Sequence, residues 1–302
     1  MNYLYYPGCS LKSTGRAYEE SLHSSFRILD TPLAELEDWN CCGATAYMSI
    51  SELKAFSLSA RNLALVERQQ KAIGDTDLVV PCAACYLGLN KTRSYLSEHP
   101  DIHHKVNDAL GAAGMHYSGN VRVRHPLDVL INDIGLERIT GKLVRPLAGL
   151  RVACYYGCQI VRPYADFDDQ HKPTTMDRLM KALGAEVVEW PLKTRCCGGS
   201  LSGTIQEVGL RLSYILLKEA SKRGADVIAT ACPLCQFNLE CYQSSMSRLF
   251  ESHVHVPVAY FTQLLGMALG VAEKKLGLQR LFIPMPHTHE EAAVAGGDYV
   301  GA

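Results

Sequence analysis

The sequence predicts an α/β protein made of two like units, each with a parallel sheet, and three observations predict it. Strand-like and helix-like segments alternate through both halves of the chain. The cysteines fall into two sets of one form: a lone cysteine, a Cys-Cys-Gly and a Cys-x-x-Cys. The first set is Cys9, Cys41, Cys42, Cys82 and Cys85, and the second is Cys158, Cys196, Cys197, Cys232 and Cys235. The intervals also agree, since Cys9 precedes Cys82 by 73 residues and Cys158 precedes Cys232 by 74. Ten of the twelve cysteines are thereby assigned to a duplication.

Taken in order, residues 2–7 read as a short aromatic strand running into Gly8-Cys9. Ser13 to Leu29 reads as a helix with Tyr18, Leu22, Phe26 and Leu29 on one face. Leu33 to Trp39 is a strand leading into Cys41-Cys42-Gly43. Ser51 to Ile73 is an amphipathic helix closed by Gly74. Asp77 to Pro81 is a buried strand ending at Cys82, with a helix from Tyr86 to about Ser97. A helix over Ile102 to Ala113, a strand over Val121 to Arg124 and a helix opened by Pro126 complete the first unit. Residues 135–149 carry Gly and Pro and read as a linker.

The second unit repeats the order. Arg151 to Tyr156 is a strand into Gly157-Cys158, and Thr174 to Leu183 a helix stopped by Gly184. Glu186 to Trp190 is a strand before Cys196-Cys197-Gly198. Ile205 to Arg223 is a helix and Asp226 to Ala231 a strand into Cys232. One helix is expected from Gln236 to Phe250, then a strand over Val254 to Val258 and a helix over Ala259 to Leu269. The expected division is 1–145, 146–283 and a flexible tail over 284–302. Every cysteine cluster then follows a strand, at the carboxyl edge of a sheet, where open α/β sheets place their ligands.

Composition narrows the function. With 47% apolar and 20% charged residues the chain is globular, and a net charge of -1 gives no electrostatic case for nucleic acid or an anionic membrane. The N-terminus lacks a basic region followed by an apolar stretch, so no signal peptide is expected. The stretch from Val256 to Ala272 is broken by Thr262 and Gln263 and falls short of the ~20 residues that a spanning helix needs. A cytoplasmic protein is expected, and there twelve cysteines are metal ligands or redox groups more readily than a disulfide framework.

Three chemistries compete for each set. Zinc takes four ligands in a tetrahedron, commonly from two Cys-x-x-Cys knuckles, and here would leave a thiolate over. A reactive dithiol at Cys82/Cys85 or Cys232/Cys235 would leave three cysteines idle. An iron–sulfur cluster uses all five, because several irons spread the thiolates over a larger volume. None of the ordinary ferredoxin spacings is present. Cys154 competes with Cys158 as the lone ligand. The Gly-Cys context and the interval favour Cys158, leaving Cys154 as a buried strand residue. Cys241 is expected mid-helix, on an apolar face.

On these residues the chain resembles the B subunit of heterodisulfide reductase and its bacterial relatives, including the sulfur-oxidation type, whose mark is this five-cysteine CCG domain occurring twice. The gaps inside the pattern are 31 and 38 residues in the first copy and 37 and 33 in the second, a slight departure downstream of each Cys-Cys-Gly. The resemblance implies two pseudo-symmetric, Rossmann-like domains. It implies two noncubane 4Fe-4S clusters, one held by Cys9, Cys41, Cys42, Cys82 and Cys85 and one by Cys158, Cys196, Cys197, Cys232 and Cys235. It implies cleavage of a disulfide between the clusters, or thiol oxidation in reverse. It also implies two partners like the family's other components: an iron–sulfur electron-transfer subunit (the C component) and a flavin subunit (the A component). In the sulfur oxidisers it implies a lipoate-binding carrier protein as well. The same domains occur in the electron-transfer subunits of succinate dehydrogenase-like and glycolate oxidase-like complexes. A zinc-stabilised scaffold is a third, non-enzymatic reading.

Other features have plainer readings. His103, His104, His125, His253, His255, His287 and His289 lie outside the cysteine sets and read as surface or tail residues. The small residues from Gly198 to Gly203 lack the Lys-Ser/Thr of a phosphate loop and read as room for a cluster. Lys12 and Arg16 read as solvated helix charges, or as attractors for an anionic substrate.

Overall fold

The computed structural model describes residues 3–44 and 46–286. Eight strands form two four-stranded sheets. In chain order they are β1 (Tyr3–Tyr5), β2 (Leu33–Glu35), β3 (Leu78–Val79) and β4 (Val123–Arg124). In the second half they are β5 (Arg151–Tyr155), β6 (Glu186–Val187), β7 (Val227–Thr230) and β8 (Val258–Tyr260). The sheet orders are β2-β1-β3-β4 and β6-β5-β7-β8, the same winding twice. All six pairings are parallel, with Leu4 opposite Leu78 in one sheet and Val152 opposite Val227 in the other. Parallel strands need crossovers, which is why each unit alternates strand and helix. The inner strands are apolar on both faces, as sandwiching between helices requires, and Leu78, Val79, Val227 and Ile228 are fully buried.

The helices follow the sequence closely. Arg16–Ile28 buries Tyr18, Leu22 and Phe26, as the spacing predicts. Glu52–Ile73 begins at Ser51, whose side chain accepts from Lys54 N, and stops at Gly74 with φ 88°. Both Cys-x-x-Cys motifs start helices: Cys82 caps Ala83–Glu98, and Cys232 caps Pro233–Cys241 with Pro233 in the first turn.

Four expectations need correction. The helix expected over Gln236 to Phe250 is two, Pro233–Cys241 and Gln243–Leu249, broken at Tyr242. The Gln243 side chain causes the break, because its Nε2 donates to Leu239 O at 2.9 Å and to Val256 O at 2.7 Å while its Oε1 accepts from Val256 N at 2.9 Å. The Leu239 carbonyl thus has a side-chain partner where a continuing helix would supply a backbone one. The same contacts hold Val256 outside the sheet, as Ser247 Oγ holds Val254, so the strand expected there starts at Val258, just past Pro257, which has no N–H to give. Cys241 is therefore the last residue of its helix and half-buried, not mid-helix. The stretch 135–149 is also more than a linker. It contains the helix Leu136–Thr140, and Val144 N and Arg145 N both donate to Ala268 O in the second half.

The halves are tied reciprocally. The helix Phe261–Ala268, which follows β8, lies on Arg16–Ile28, the long helix between β1 and β2. In return, Pro126–Asp128 and Leu136–Thr140 from the end of the first half lie on Thr175–Ala182, the first helix of the second. Ser21 Oγ and Thr262 Oγ1 meet at 2.6 Å, fully buried, in the first of these contacts. Tyr18 stacks on Tyr260 there, ring centroids 4.5 Å apart. The buried apolar side chains form one continuous cluster through both halves.

Candidate metal centre

The ten cysteines stand at the carboxyl ends of the strands. Gly8-Cys9 follows β1 and Gly157-Cys158 follows β5, and both glycines have positive φ, 63° and 69°. A β-carbon on Gly8 would lie 3.0 Å from Cys85 Sγ, and one on Gly157 would lie 3.2 Å from Cys235 Sγ. The glycine before each lone cysteine therefore lets the backbone pass over a sulfur of the Cys-x-x-Cys. Gly43 and Gly198 turn the chain with φ 74° and 99°. Each donates its N–H to the first cysteine of its pair, Gly43 N to Cys41 Sγ at 3.5 Å and Gly198 N to Cys196 Sγ at 3.3 Å.

Sulfurs of each set approach one another closely. Cys42 Sγ is 3.2 Å from Cys85 Sγ, and Cys197 Sγ is 3.4 Å from Cys235 Sγ. The thiol of Cys41 acts on that of Cys42, Cys82 on Cys85, Cys232 on Cys235 and Cys158 on Cys196. The side chains of Cys82 and Cys232 act on each other, so the two sets meet where the halves meet. Cys42, Cys82, Cys85, Cys197, Cys232 and Cys235 are buried, whereas Cys9, Cys41 and Cys196 reach the surface and Cys158 is intermediate. Every cysteine is a free thiol. Among the described residues no three His, Cys, Asp or Glu side chains converge as the ligands of one ion do. Five soft donors per set, some buried and some open, fit a group of several irons better than a tetrahedral zinc ion.

The charges on the thiols are set locally. Cys196 is pushed down to about 6, first by its hydrogen bond with Cys158 and then by the Gly198 N–H and the Arg162 guanidinium, against its partial burial. Cys158 correspondingly goes up and keeps the proton of the pair. In the first set the bond with Cys42 and burial push Cys41 up, and Cys42 goes down.

Several supporting residues do not show in the cysteine pattern. Tyr6 and Tyr155 sit three residues before the lone cysteines, and each hydroxyl donates to the carbonyl preceding its Cys-Cys-Gly: Tyr6 to Asn40 O at 2.7 Å, Tyr155 to Arg195 O at 2.6 Å. The two tryptophans of the chain pack on these rings, Trp39 on Tyr6 and Trp190 on Tyr155. Ser59 Oγ donates to Cys42 O at 2.7 Å and Ser213 Oγ to Cys197 O at 2.8 Å. Aligning the repeats on Gly-Cys would have found both tyrosines, because each stands just ahead of its Gly-Cys turn. The serines lie a helix away and leave no such signal.

His125 is a further correction. It is fully buried, not a surface residue, and its Nε2–H donates to Pro81 O at 3.2 Å. The Ala231 backbone also acts on the ring. Nδ1 accepts from Leu127 N. Pro81 and Ala231 are the residues before Cys82 and Cys232, so one neutral imidazole ties both Cys-x-x-Cys turns together. Among the other candidates, His253 and His255 are exposed and stack on each other, and His103 bonds to Tyr117 O. His287 and His289 lie outside the described residues. Lys12 is paired with Glu19 and Glu35, and Arg16 with Glu20, as solvated helix charges would be. Cys154 is fully buried in β5. A β-carbon on Gly198 would lie 3.0 Å from Gly209 Cα, and one on Gly209 would lie 2.6 Å from Ser202 N. The small residues there make room for the backbone of the helix Gln206–Lys222.

Fold and site together define a duplicated, parallel α/β protein that gathers two five-cysteine sets between its halves. The chain belongs to the cysteine-rich domain family designated CCG, which matches residues 3–90 and 152–240. It is 32% identical over 278 residues to the 8-methylmenaquinol:fumarate reductase membrane anchor subunit of Wolinella succinogenes, covering 91% of this chain and 95% of that one. It is 28% identical to the B subunit of the ferredoxin:CoB-CoM heterodisulfide reductase of Methanosarcina mazei, over 90% of this chain and 91% of that one. It is 30% identical to a protein of Archaeoglobus profundus described as like the heterodisulfide reductase B subunit, over 89% and 91%. A crystal structure of a hypothetical protein from Helicobacter pylori superposes with a TM-score of 0.75 at 16% identity, a likeness of fold, and covers 94% of this chain. This chain spans about half, 52%, of that longer one. No helix among the described residues is long and apolar enough to cross a membrane.

Proposed function

We propose that this chain is an iron–sulfur redox subunit of a multisubunit oxidoreductase, and that it reduces a disulfide, or oxidises thiols in reverse, between two noncubane 4Fe-4S clusters. The first cluster is held by Cys9, Cys41, Cys42, Cys82 and Cys85, and the second by Cys158, Cys196, Cys197, Cys232 and Cys235. The observation that carries the reading is the Cys82–Cys232 contact, which joins the two sulfur sets across the halves. A disulfide takes up two electrons and two protons to give two thiols, and bound clusters supply those electrons singly, with irons to accept sulfur.

The chain's own residues prepare the site. The helix N-termini at Cys82 and Cys232 favour negative charge on sulfur. The Gly43 and Gly198 N–H groups do the same for Cys41 and Cys196. Tyr18, Tyr260 and His125 wall the meeting point and exclude water, for all three are buried. An iron–sulfur electron-transfer partner and a flavin partner would deliver the electrons, in the cytoplasm. A lipoate-binding carrier is the partner if the reaction runs oxidatively.

Purification without oxygen followed by metal analysis tests this: about eight irons per chain with labile sulfide is the expected result, two four-iron clusters being held. Two zincs and no iron would overturn it in favour of a scaffold. The second reading is a pure electron relay to a quinone-linked partner, and the similarity to a component of a menaquinol:fumarate reductase favours it. Addition of a disulfide separates the two, because only the first reading expects a substrate-dependent EPR signal.

A further inference from the structure

The two sulfur sets are alike in geometry and unlike in charge. Four residues after the lone cysteine, the first half has Ser13, whose hydroxyl donates to Cys9 O, and the second half has Arg162. Immediately before Cys-Cys-Gly the first half has Asn40 and the second has Arg195. Arg162 is half-buried, its Nη2 donates to Thr194 O, and its charge reaches the Cys196 sulfur. Among the described residues, neither Arg162 nor Arg195 has a carboxylate within ion-pair distance. The cation beside the first Cys-Cys-Gly is Arg61, which donates to Asn40 Oδ1 and is matched by Asp38 at 2.6 Å.

Arg162 belongs to an excursion that the first half lacks. Cys9 is seven residues from the helix Arg16–Ile28, and Cys158 is seventeen from Thr175–Ala182. The extra chain is anchored on both halves. Tyr86 OH donates to Asp166 Oδ2 at 3.1 Å, Phe167 stacks on His125, and the Asp168 carboxylate accepts from Thr174 N and Thr175 N. The guanidinium is therefore carried on a braced segment.

We propose that Arg162, with a lesser contribution from the more exposed Arg195, makes the second sulfur set the easier of the two to reduce. This rests on the cluster reading above. One-electron reduction adds one negative charge to a site already surrounded by thiolates. An unmatched cation in a partly desolvated place favours the reduced form, and net charge and surroundings set such potentials.

The test is an EPR-monitored redox titration of the intact, anaerobically loaded protein with dithionite as reductant, the signals being assigned from the Cys9→Ala and Cys158→Ala proteins. Arg162→Gln keeps a donor for Thr194 O and removes the charge. The reduction equilibrium of the second set is expected to fall about tenfold, about 59 mV for one electron, with the first set unmoved. Arg162→Lys is expected to restore most of the shift. Equal movement of both signals, or none with iron content intact, overturns the proposal. So does a change confined to the KM for an anionic disulfide, which would make Arg162 a substrate contact. Absence of iron from the unmodified protein is a different result, because it removes the cluster reading itself.

Discussion

Gly8 lies so close to Cys85 that a β-carbon would meet the sulfur at 3.0 Å, and its φ of 63° already disfavours any other residue. Gly157 repeats the relationship with Cys235 at 3.2 Å. Gly8→Ala and Gly157→Ala should each lower stability by about 1–3 kcal/mol from the backbone alone. Each should also reduce iron content in its own set and spare the other. Denaturant unfolding and iron analysis check both points, and unchanged iron would show that the close approach does not shape the site.

Removing one tyrosine hydroxyl should loosen one Cys-Cys-Gly turn. Tyr6→Phe removes one of the two side-chain donors to Asn40 O, the Asn62 Nδ2 bond at 3.0 Å remaining, and Tyr155→Phe removes the Tyr155 hydroxyl from Arg195 O. Each should cost about 1 kcal/mol. The affected set should also lose iron faster in air, which absorbance decay against time would follow.

The same bonds bear on what a reader of the sequence could see. The duplicated order of strands and helices was legible because the inner strands are short apolar runs and the helices carry clean 3.6-residue faces. The cysteine sets were legible because their intervals agree. The near-equality of 73 and 74 residues conceals a difference, however, since the second half has a longer connection after Cys158 and a shorter first helix. Arg162 therefore stood out by no spacing argument. The break at Tyr242 escaped because a side chain, Gln243, supplies the deciding hydrogen bonds, and a helical periodicity cannot register that. His125 escaped because its role depends on two carbonyls from opposite halves.

Stability should depend on pH at two buried groups. Burial pushes His125 down to about 4. Its contribution is then present above its unfolded value of about 6.5 and is lost as pH falls through 4. Burial pushes the Glu240 carboxyl up to about 7, against hydrogen bonds from the Ile283 N–H and Gln236. Its contribution is present below about 4.5 and is lost as pH rises through 7. Urea unfolding from pH 4 to pH 8 should show both flanks. His125→Gln should flatten the acid one and Glu240→Gln the neutral one, and an unaltered profile in either variant would remove that residue as the cause.

The Ser21–Thr262 bond, 2.6 Å and fully buried, joins the two halves. Ser21→Ala should leave the Thr262 hydroxyl short of a partner and cost about 1–3 kcal/mol. Ser21→Ala with Thr262→Val should cost less than the two single changes added together. A double-mutant cycle measures the coupling.

The reciprocal packing of terminal helices has a consequence for ancestry. Each half lends a helix that follows its fourth strand to cover the helix between the first two strands of the other, so a single copy would leave one apolar helix face bare and one helix without a seat. A one-copy forebear would have closed that deficit by pairing with a second molecule of itself, exchanging the terminal segment across a two-fold axis. Joining two such genes would preserve the exchange inside one polypeptide and free the two sites to diverge. The unmatched arginines beside the second sulfur set, where the first has Arg61 paired with Asp38, are the kind of difference that identical protomers could never acquire.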